Sequence, residues 1–336
     1  MKCRKYKTIP ESLSYLWKFP ISTYKYTRLL KKYSPDVSIS FLDIDNLINI
    51  IACRYVGVKA VTSMRESPTY AKTRLIVRII RHIVFSFCGN WTEMVIPNSE
   101  GSKNALVKMY DLLPDKISVV YNPKDIDLIT QMSFEPVTEE FFNTDDPILI
   151  AIGSLSLKKG IWHLFRIFAS IHHSYPCKLI LCGKGELREE LEALAVEYGI
   201  AEDVLFLGWS DNPYKYIRNS TIFIFPQISA GLPNVLIEAL ICGCPVVSTD
   251  CEFGPREILD YGKYGYLCET LNGVHYDANH PLTSAEIDME TKIISLISDE
   301  HLREKFSKMG IERGKMFEKN EKIQEYANII SDVCNI

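Results

Sequence analysis

The residue with the most chemistry to explain is Glu238. It is the one acid in residues 234–241 (NVLIEALI), a largely apolar run that follows Gly231, Leu232 and Pro233. Proline suits the first position of a helix, so the pattern predicts a helix over 233–243 that is apolar on nearly every face and therefore buried. An unpaired buried carboxylate is costly, so Glu238 needs hydrogen-bond donors. Helical side chains lean toward the N-terminus, which aims its oxygens at the turn formed by Gly231, Leu232, Pro233, Asn234 and Val235. Exposed amides and the positive end of the helix dipole fit such a turn to hold a phosphate. A nucleotide diphosphate on the turn, with ribose hydroxyls given to Glu238, satisfies both needs. A core carboxylate satisfied by backbone groups or an arginine is the plainer alternative.

A second turn repeats the theme. An apolar strand pattern at 148–153 ends in Gly153 and Ser154 and leads through LSLKKG to a helix near Ile161, placing Lys159 at a strand-to-helix junction where a cation can meet phosphate oxygens. Taken alone, a lysine before a helix is more often simply solvated. A third turn, Gly183-Lys184-Gly185, permits close backbone approach. Two Asp-Ile-Asp triplets, at 43–45 and 125–127, are read as a helix start and a linker rather than as metal ligands. The ten cysteines form no CxxC pair and no zinc-spaced cluster with histidine, which fits reduced thiols in a cytosolic protein.

The elements that must position these groups follow from periodicity. Strands are expected at 37–42, 58–63, 93–96, 117–121, 148–153, 177–182, 203–207, 221–225 and 245–248. Helices are expected near 21–33, 45–56, 69–87, 99–111, 160–174, 186–198, 212–219 and 233–243. Strands apolar on both faces and separated by helices imply parallel sheets covered on both sides, the α/β class. The beat stops at 123–147, which is acidic and without clear period, so the domain boundary is expected there. The last seventy residues read as two or three helices, the final one near 319–334.

A length of 336 residues suits two domains, and 47% hydrophobic with 24% charged residues excludes disordered, collagen-like and fibrous classes. The net charge of −4 hides a division: residues 1–91 hold 16 Lys and Arg against 5 Asp and Glu, and residues 92–336 hold 22 against 37. The basic start lacks the apolar core of a signal peptide, and 74–91 is too charged to span a bilayer. Lys72, Arg74, Arg78 and Arg81 suit either a surface that touches anionic lipid headgroups or a solvated stripe on a helix packed against the sheet. Nucleic acid is not expected, because no recognised binding module accompanies the charge. Arg65, after the strand at 58–63, is the candidate of the first domain for the active-site cleft.

These pieces, in this order, resemble the retaining glycosyltransferases of family 4, which have the two-domain GT-B architecture. The likeness is carried by GSLSLKKG (153–160), by GKGELREELEALAVEYGIAEDVLFLGW (183–209) and most specifically by GLPNVLIEALICGCPVVSTDCEFGPREIL (231–259). It extends more weakly through SPDVSISFL (34–42), TSMRESP (62–68), PNSEGSKNAL (97–106) and VVYNPKDID (119–127). It implies two Rossmann-like domains: an acceptor-side domain over 1–130, shortened by its first strand and glycine-rich turn, a linker over 131–146, and a nucleotide-sugar-binding domain over 147–318. A helix over 319–336 would return toward the first domain.

The resemblance further implies a UDP-sugar donor, a polyprenol-linked or saccharide acceptor, no metal or other cofactor, and a cytoplasmic protein peripheral to the inner face of the membrane, in surface polysaccharide, capsule or glycoconjugate synthesis. Carried over by position, Lys159 would neutralise the diphosphate, the 231–235 turn would donate amides to it, Glu238 would hold the ribose, and Gly208 and Trp209 would face the base. Gly153, Ser154, Gly183 and Ala230 complete the implied donor site. Two positions depart from the pattern. The acid that the family places eight residues before Glu238 is Ala230, and the arginine frequent after the first glycine is Ser154. The second leaves Lys159 as the main cation of that loop; Ala230 and the shortened first domain favour a second expectation, a sugar-nucleotide-binding relative of impaired catalysis, acting as an accessory or remnant.

Overall fold

The computed structural model describes residues 11–65, 82, 89–277 and 280–335. The expected helix at 69–87, and with it Lys72, Arg74, Arg78 and Arg81, falls outside the described residues. The chain divides into two compact units, Met1–Tyr121 with Ile323–Ile336, and Asn122–Lys322.

In the first unit, strands β1 (Val37–Phe41), β2 (Lys59–Met64) and β3 (Met94–Pro97) pair in parallel in that order. Helix α1 (Glu11–Tyr33) packs on α2 (Asp43–Val56), which connects β1 to β2, and α3 (Glu100–Tyr110) follows β3. Side chains of α2 are tied to the strands: Asn49 donates to the carbonyls of Ser38 and Val61, and Asn46 to that of Ser63. The expected strand at 117–121 is reduced to a single bridge between Ile117 and Val95.

The second unit carries a six-stranded parallel sheet. Its strands are β4 (Ile148–Ile152), β5 (Lys178–Cys182), β6 (Val204–Gly208), β7 (Ile222–Phe225), β8 (Val246–Thr249) and β9 (Tyr266–Cys268), in the spatial order β6-β5-β4-β7-β8-β9. Strands β4, β5 and β7 are buried almost throughout, as runs apolar on both faces require. The sheet is flanked by α5 (Ile161–His172), α6 (Arg188–Glu197), α7 (Tyr214–Arg218), α8 (Asn234–Ile241) and α9 (Gly254–Ile258), after α4 (Ile126–Ser133). Helices α10 (Ser284–Ser298), α11 (Glu300–Gly314) and α12 (Lys319–Asn335) close the chain. Phe165 and Phe168 of α5, Leu179 and Leu181 of β5 and Met289 and Ile293 of α10 meet in one continuous core.

Three expectations change. The second unit begins at Asn122, ahead of the expected boundary, because α4 forms inside the period-free stretch and packs on α7 and α8. The triplet 125–127, expected as linker, starts that helix, with Asp125 accepting from the Leu128 amide as its cap. Strand β9 and helix α9 lie where no period was visible, each too short to show one. Helix α12 contributes Val333 to a core with Val61, Ile96 and Val120, so from Ile323 onward the chain belongs to the first unit. No helix among the described residues is long and apolar enough to cross a membrane.

One polar cluster anchors the core of the second unit. Glu286, fully buried on α10, accepts from the Arg166 Nε at 3.0 Å, pairs with His163 Nδ1 at 2.9 Å and completes a capping box with Thr283. Burial pushes its carboxyl pKa upward, but these hydrogen bonds and the Arg166 charge outweigh it, and the net direction is down. The Arg166 guanidinium also donates to the carbonyls of Asp277, His280 and Pro281. Glu286→Ala strands a buried guanidinium and is expected to destabilise the second unit by roughly 3 kcal/mol. An unchanged denaturant midpoint for that unit would contradict this account.

Candidate functional site

Because all six strands are parallel, their carboxyl ends lie along one edge, and sequence order reverses between β4 and β7. The first connection leads away from β4 to one side and later ones to the other, which leaves a crevice at that switch point. The loops that follow β4 and β7 bring Lys159 and Gln227 together there. Lys159 Nζ donates to Gln227 Oε1 at 2.9 Å, and the Gln227 carbonyl accepts from Thr249 at the end of β8. Burial, and next the charge of Lys158, hold the Lys159 ammonium below the usual lysine range. A cation that is partly desolvated and answered, among the described residues, by an amide oxygen is suited to an anion.

Gly153 and Gly183 end β4 and β5 in contact. The Gly153 amide donates to the Cys182 carbonyl at 3.0 Å, the Leu155 amide to that of Lys184 at 3.0 Å, and a Cβ at Gly183 would stand 1.9 Å from the Gly153 oxygen. Only glycine at 183, whose φ is +151°, permits this approach. Ser154 is exposed, its hydroxyl 3.2 Å from that of Ser156. Gly208 closes β6, and Trp209, 73% exposed, follows it with its indole Nε1 donating to Asp211. An indole so exposed at the carboxyl edge offers a face for stacking.

After β7 comes the turn with half-buried Ala230, half-buried Gly231 and buried Leu232. Pro233 precedes rather than opens helix α8, which begins at Asn234 with Val235 in its first turn and has no side-chain cap among the described residues. The Leu236 amide donates to the Pro233 carbonyl at 3.2 Å, and the amides before it are those that a helix start leaves without intrahelical partners. The turn is supported from beneath: the Gly254 amide donates to the Gly231 carbonyl at 2.8 Å, and a Cβ at Gly254 would lie 2.0 Å from that oxygen. Phe253, just before, takes a φ of 77°, a conformation rare outside glycine.

Glu238 on α8 is half-buried rather than enclosed, and its donor is Lys124. The Lys124 Nζ lies 2.5 Å from Glu238 Oε1, with side-chain exposures of 10% and 13%. Beside it, Asn122 Nδ2 donates to the Leu232 carbonyl and to Asn234 Oδ1 at 3.0 Å. The Glu238 charge is felt nearby: after burial, it is the next cause that raises Tyr214 and pushes Cys242 up to about 12. Lys124, Asn122 and Gln227 were not among the expected site residues. Lys124 and Glu238 are 114 positions apart, so no local spacing links them.

The structure thus gathers Gly153, Ser154, Lys159, Gly183, Gly208, Trp209, Ala230, the 231–235 turn and Glu238 along the carboxyl edge of one sheet. Arg65 belongs to the first unit, where it follows β2, donates to the Tyr326 hydroxyl and has its guanidinium 5.4 Å from the centre of the Phe41 ring.

Residues 135–313 match the pattern of the glycosyl transferases group 1. An uncharacterized glycosyltransferase of Methanocaldococcus jannaschii is 32% identical over 343 aligned positions, covering 94% of this chain and 84% of the relative. A Campylobacter jejuni protein, N-acetylgalactosamine-N,N'-diacetylbacillosaminyl-diphospho-undecaprenol 4-alpha-N-acetylgalactosaminyltransferase, is 30% identical, covering 90% of this chain and 78% of its own length. Among solved structures, an Anabaena protein in complex with UDP superposes with a TM-score of 0.77 over 92% of this chain and 82% of that one; at 17% identity this shows a common fold. With the pattern spanning more than half of the sequence and a relative 32% identical along nearly all of it, the chain belongs to the glycosyl transferases group 1.

Proposed function

We propose that the protein transfers a hexose from a nucleotide sugar, preferably a UDP-sugar, to a lipid-linked or saccharide acceptor with retention of configuration, in surface polysaccharide or glycoconjugate synthesis. The observation that carries this reading is that loops and a helix at one sheet edge carry a partly desolvated cation, Lys159, an uncapped helix turn and the carboxylate of Glu238. Diphosphate, amides and ribose match those three groups in order. The printed activity of the Campylobacter relative, on a diphospho-undecaprenol acceptor, supports a lipid-linked acceptor here. The basic first ninety residues suit an anionic acceptor at the inner face of the membrane.

In this reading the diphosphate lies on the 231–235 turn with Lys159 against its oxygens, Glu238 takes the ribose, and Trp209 stacks on the base. The bond between the anomeric carbon and the diphosphate oxygen loosens, its electron pair passing to the diphosphate. Lys159 and the turn amides stabilise the growing negative charge, more strongly than water would because they are already oriented. The acceptor hydroxyl attacks from the leaving-group face, and its proton passes to a diphosphate oxygen. The protein supplies this charge stabilisation without a metal, and Arg65 is assigned to the acceptor side.

Ala230 favours a second reading, in which the donor binds but turnover is weak, because the acid that would meet the donor sugar is missing. Calorimetric titration of UDP and UDP-sugars, followed by assay of UDP release with acceptor, separates the two. Transfer supports the first reading, binding alone the second, and no binding refutes both. Ala230→Glu is expected to raise turnover if the missing acid is the only defect; no gain would exclude that explanation.

Glu238→Ala is expected to weaken UDP binding about tenfold, the loss of a charge-assisted hydrogen bond to the ribose. Unchanged affinity would refute the ribose assignment. Lys159 meets the diphosphate only when protonated, and its lowered pKa means that this form is lost earlier than in an exposed lysine as pH rises. UDP affinity should therefore fall on the alkaline side, starting below the usual lysine range. Lys159→Met should bind weakly throughout and lack that alkaline limb; a variant that retained it would place the titration elsewhere.

A further inference from the structure

Lys124 is held by its main chain before its side chain acts. Its amide donates to the Phe317 carbonyl at 2.7 Å, and its own carbonyl accepts from the Lys319 amide at 2.9 Å. Asp125 caps α4 on one side and Asn122 is tied to the α8 turn on the other. From this fixed stem the ammonium reaches Glu238 Oε1 at 2.5 Å, both side chains being nearly buried. Among the described residues that is the one hydrogen bond of either side chain. Glu238 Oε2 has no hydrogen-bond partner among the described residues, and 13% of the Glu238 side chain stays exposed.

A glutamate with both oxygens open explores several rotamers and can receive a diol in more than one way. Once Oε1 is held, Oε2 is presented in one orientation and the ordering cost is met before the ligand arrives. We propose that Lys124 is a positioning residue for the donor, fixing Glu238 so that its free oxygen meets a ribose hydroxyl. This rests on the assignment of Glu238 to the ribose. Lys124 acts through the carboxylate, so its removal should be felt by ligands that have the hydroxyls and not by those without them.

The full-length protein and its variants would be titrated with UDP and with its 2′,3′-dideoxy analogue. The native protein is expected to prefer UDP. Lys124→Met should weaken UDP binding about tenfold and leave the dideoxy analogue within about twofold, as loss of pre-organisation at one group predicts. Lys124→Arg, which keeps a charged donor, should retain the preference. A merely structural lysine would move both nucleotides alike, so an undiminished preference in Lys124→Met overturns the proposal. If that variant does not fold, Lys124→Ala, which likewise removes the donor, carries the same comparison, and a preference equal to the native one then overturns it. A native protein that binds UDP without preferring it over the analogue refutes the ribose assignment and this inference with it. No UDP binding at all refutes the proposed function.

Discussion

Everything in the second unit depends on the geometry of a parallel sheet whose order reverses between β4 and β7. Parallel pairing sends every strand-to-helix loop to the same edge, and right-handed crossovers carry the helices away from the reversal. The loops after β4 and β7 are therefore left facing one another with no helix between them. Lys159 and Gln227 span that opening, and glycines at 183, 185 and 254 allow the neighbouring loops to close against each other without side chains intervening. None of these residues would be a site on another topology. The same glycines on adjacent strands that ran in opposite directions would lie at opposite ends of the sheet.

A carboxylate on an apolar helix must be answered, and how it is answered decides what it can do. Had Glu238 been enclosed by backbone donors on both oxygens, it would be a structural group with nothing left to offer. A single ammonium, delivered from a stem that is itself hydrogen-bonded on both sides, neutralises the charge and leaves one oxygen available. The cost of removing two charges from water is lessened here because neither is fully enclosed. Glu286 shows the opposite solution: two side chains and a capping box use its oxygens, and it ties α10 to α5.

Much of the second unit is legible from sequence because its strands are apolar on both faces and its helices are long enough to show a period. The glycines of the strand-end turns and Glu238 are legible for a related reason: a backbone that must approach closely, or a lone charge in an apolar run, breaks the local rule and so stands out. What is not legible depends on distance along the chain. Lys124 sits in an acidic stretch without periodicity, and only the fold brings it to a helix 114 positions away. Helix α4 is hidden for another reason. Its eight residues barely exceed two turns, and it exists because α7 and α8 cover it rather than because its own sequence insists.

The uneven charge of the sequence then has a physical resolution. Residues 92–336 carry an excess of acid, yet the proposed ligand is a diphosphate. Net charge acts at long range, where salt screens it within about 8 Å at physiological ionic strength. A bound anion responds instead to groups in contact with it through a medium of lower polarity than water, where each interaction is several-fold stronger. One partly desolvated lysine and a helix turn at the carboxyl edge can therefore outweigh a larger number of carboxylates exposed elsewhere on the unit. Lys124, by pairing with Glu238 on the helix that follows that turn, removes a repulsion that would act at close range.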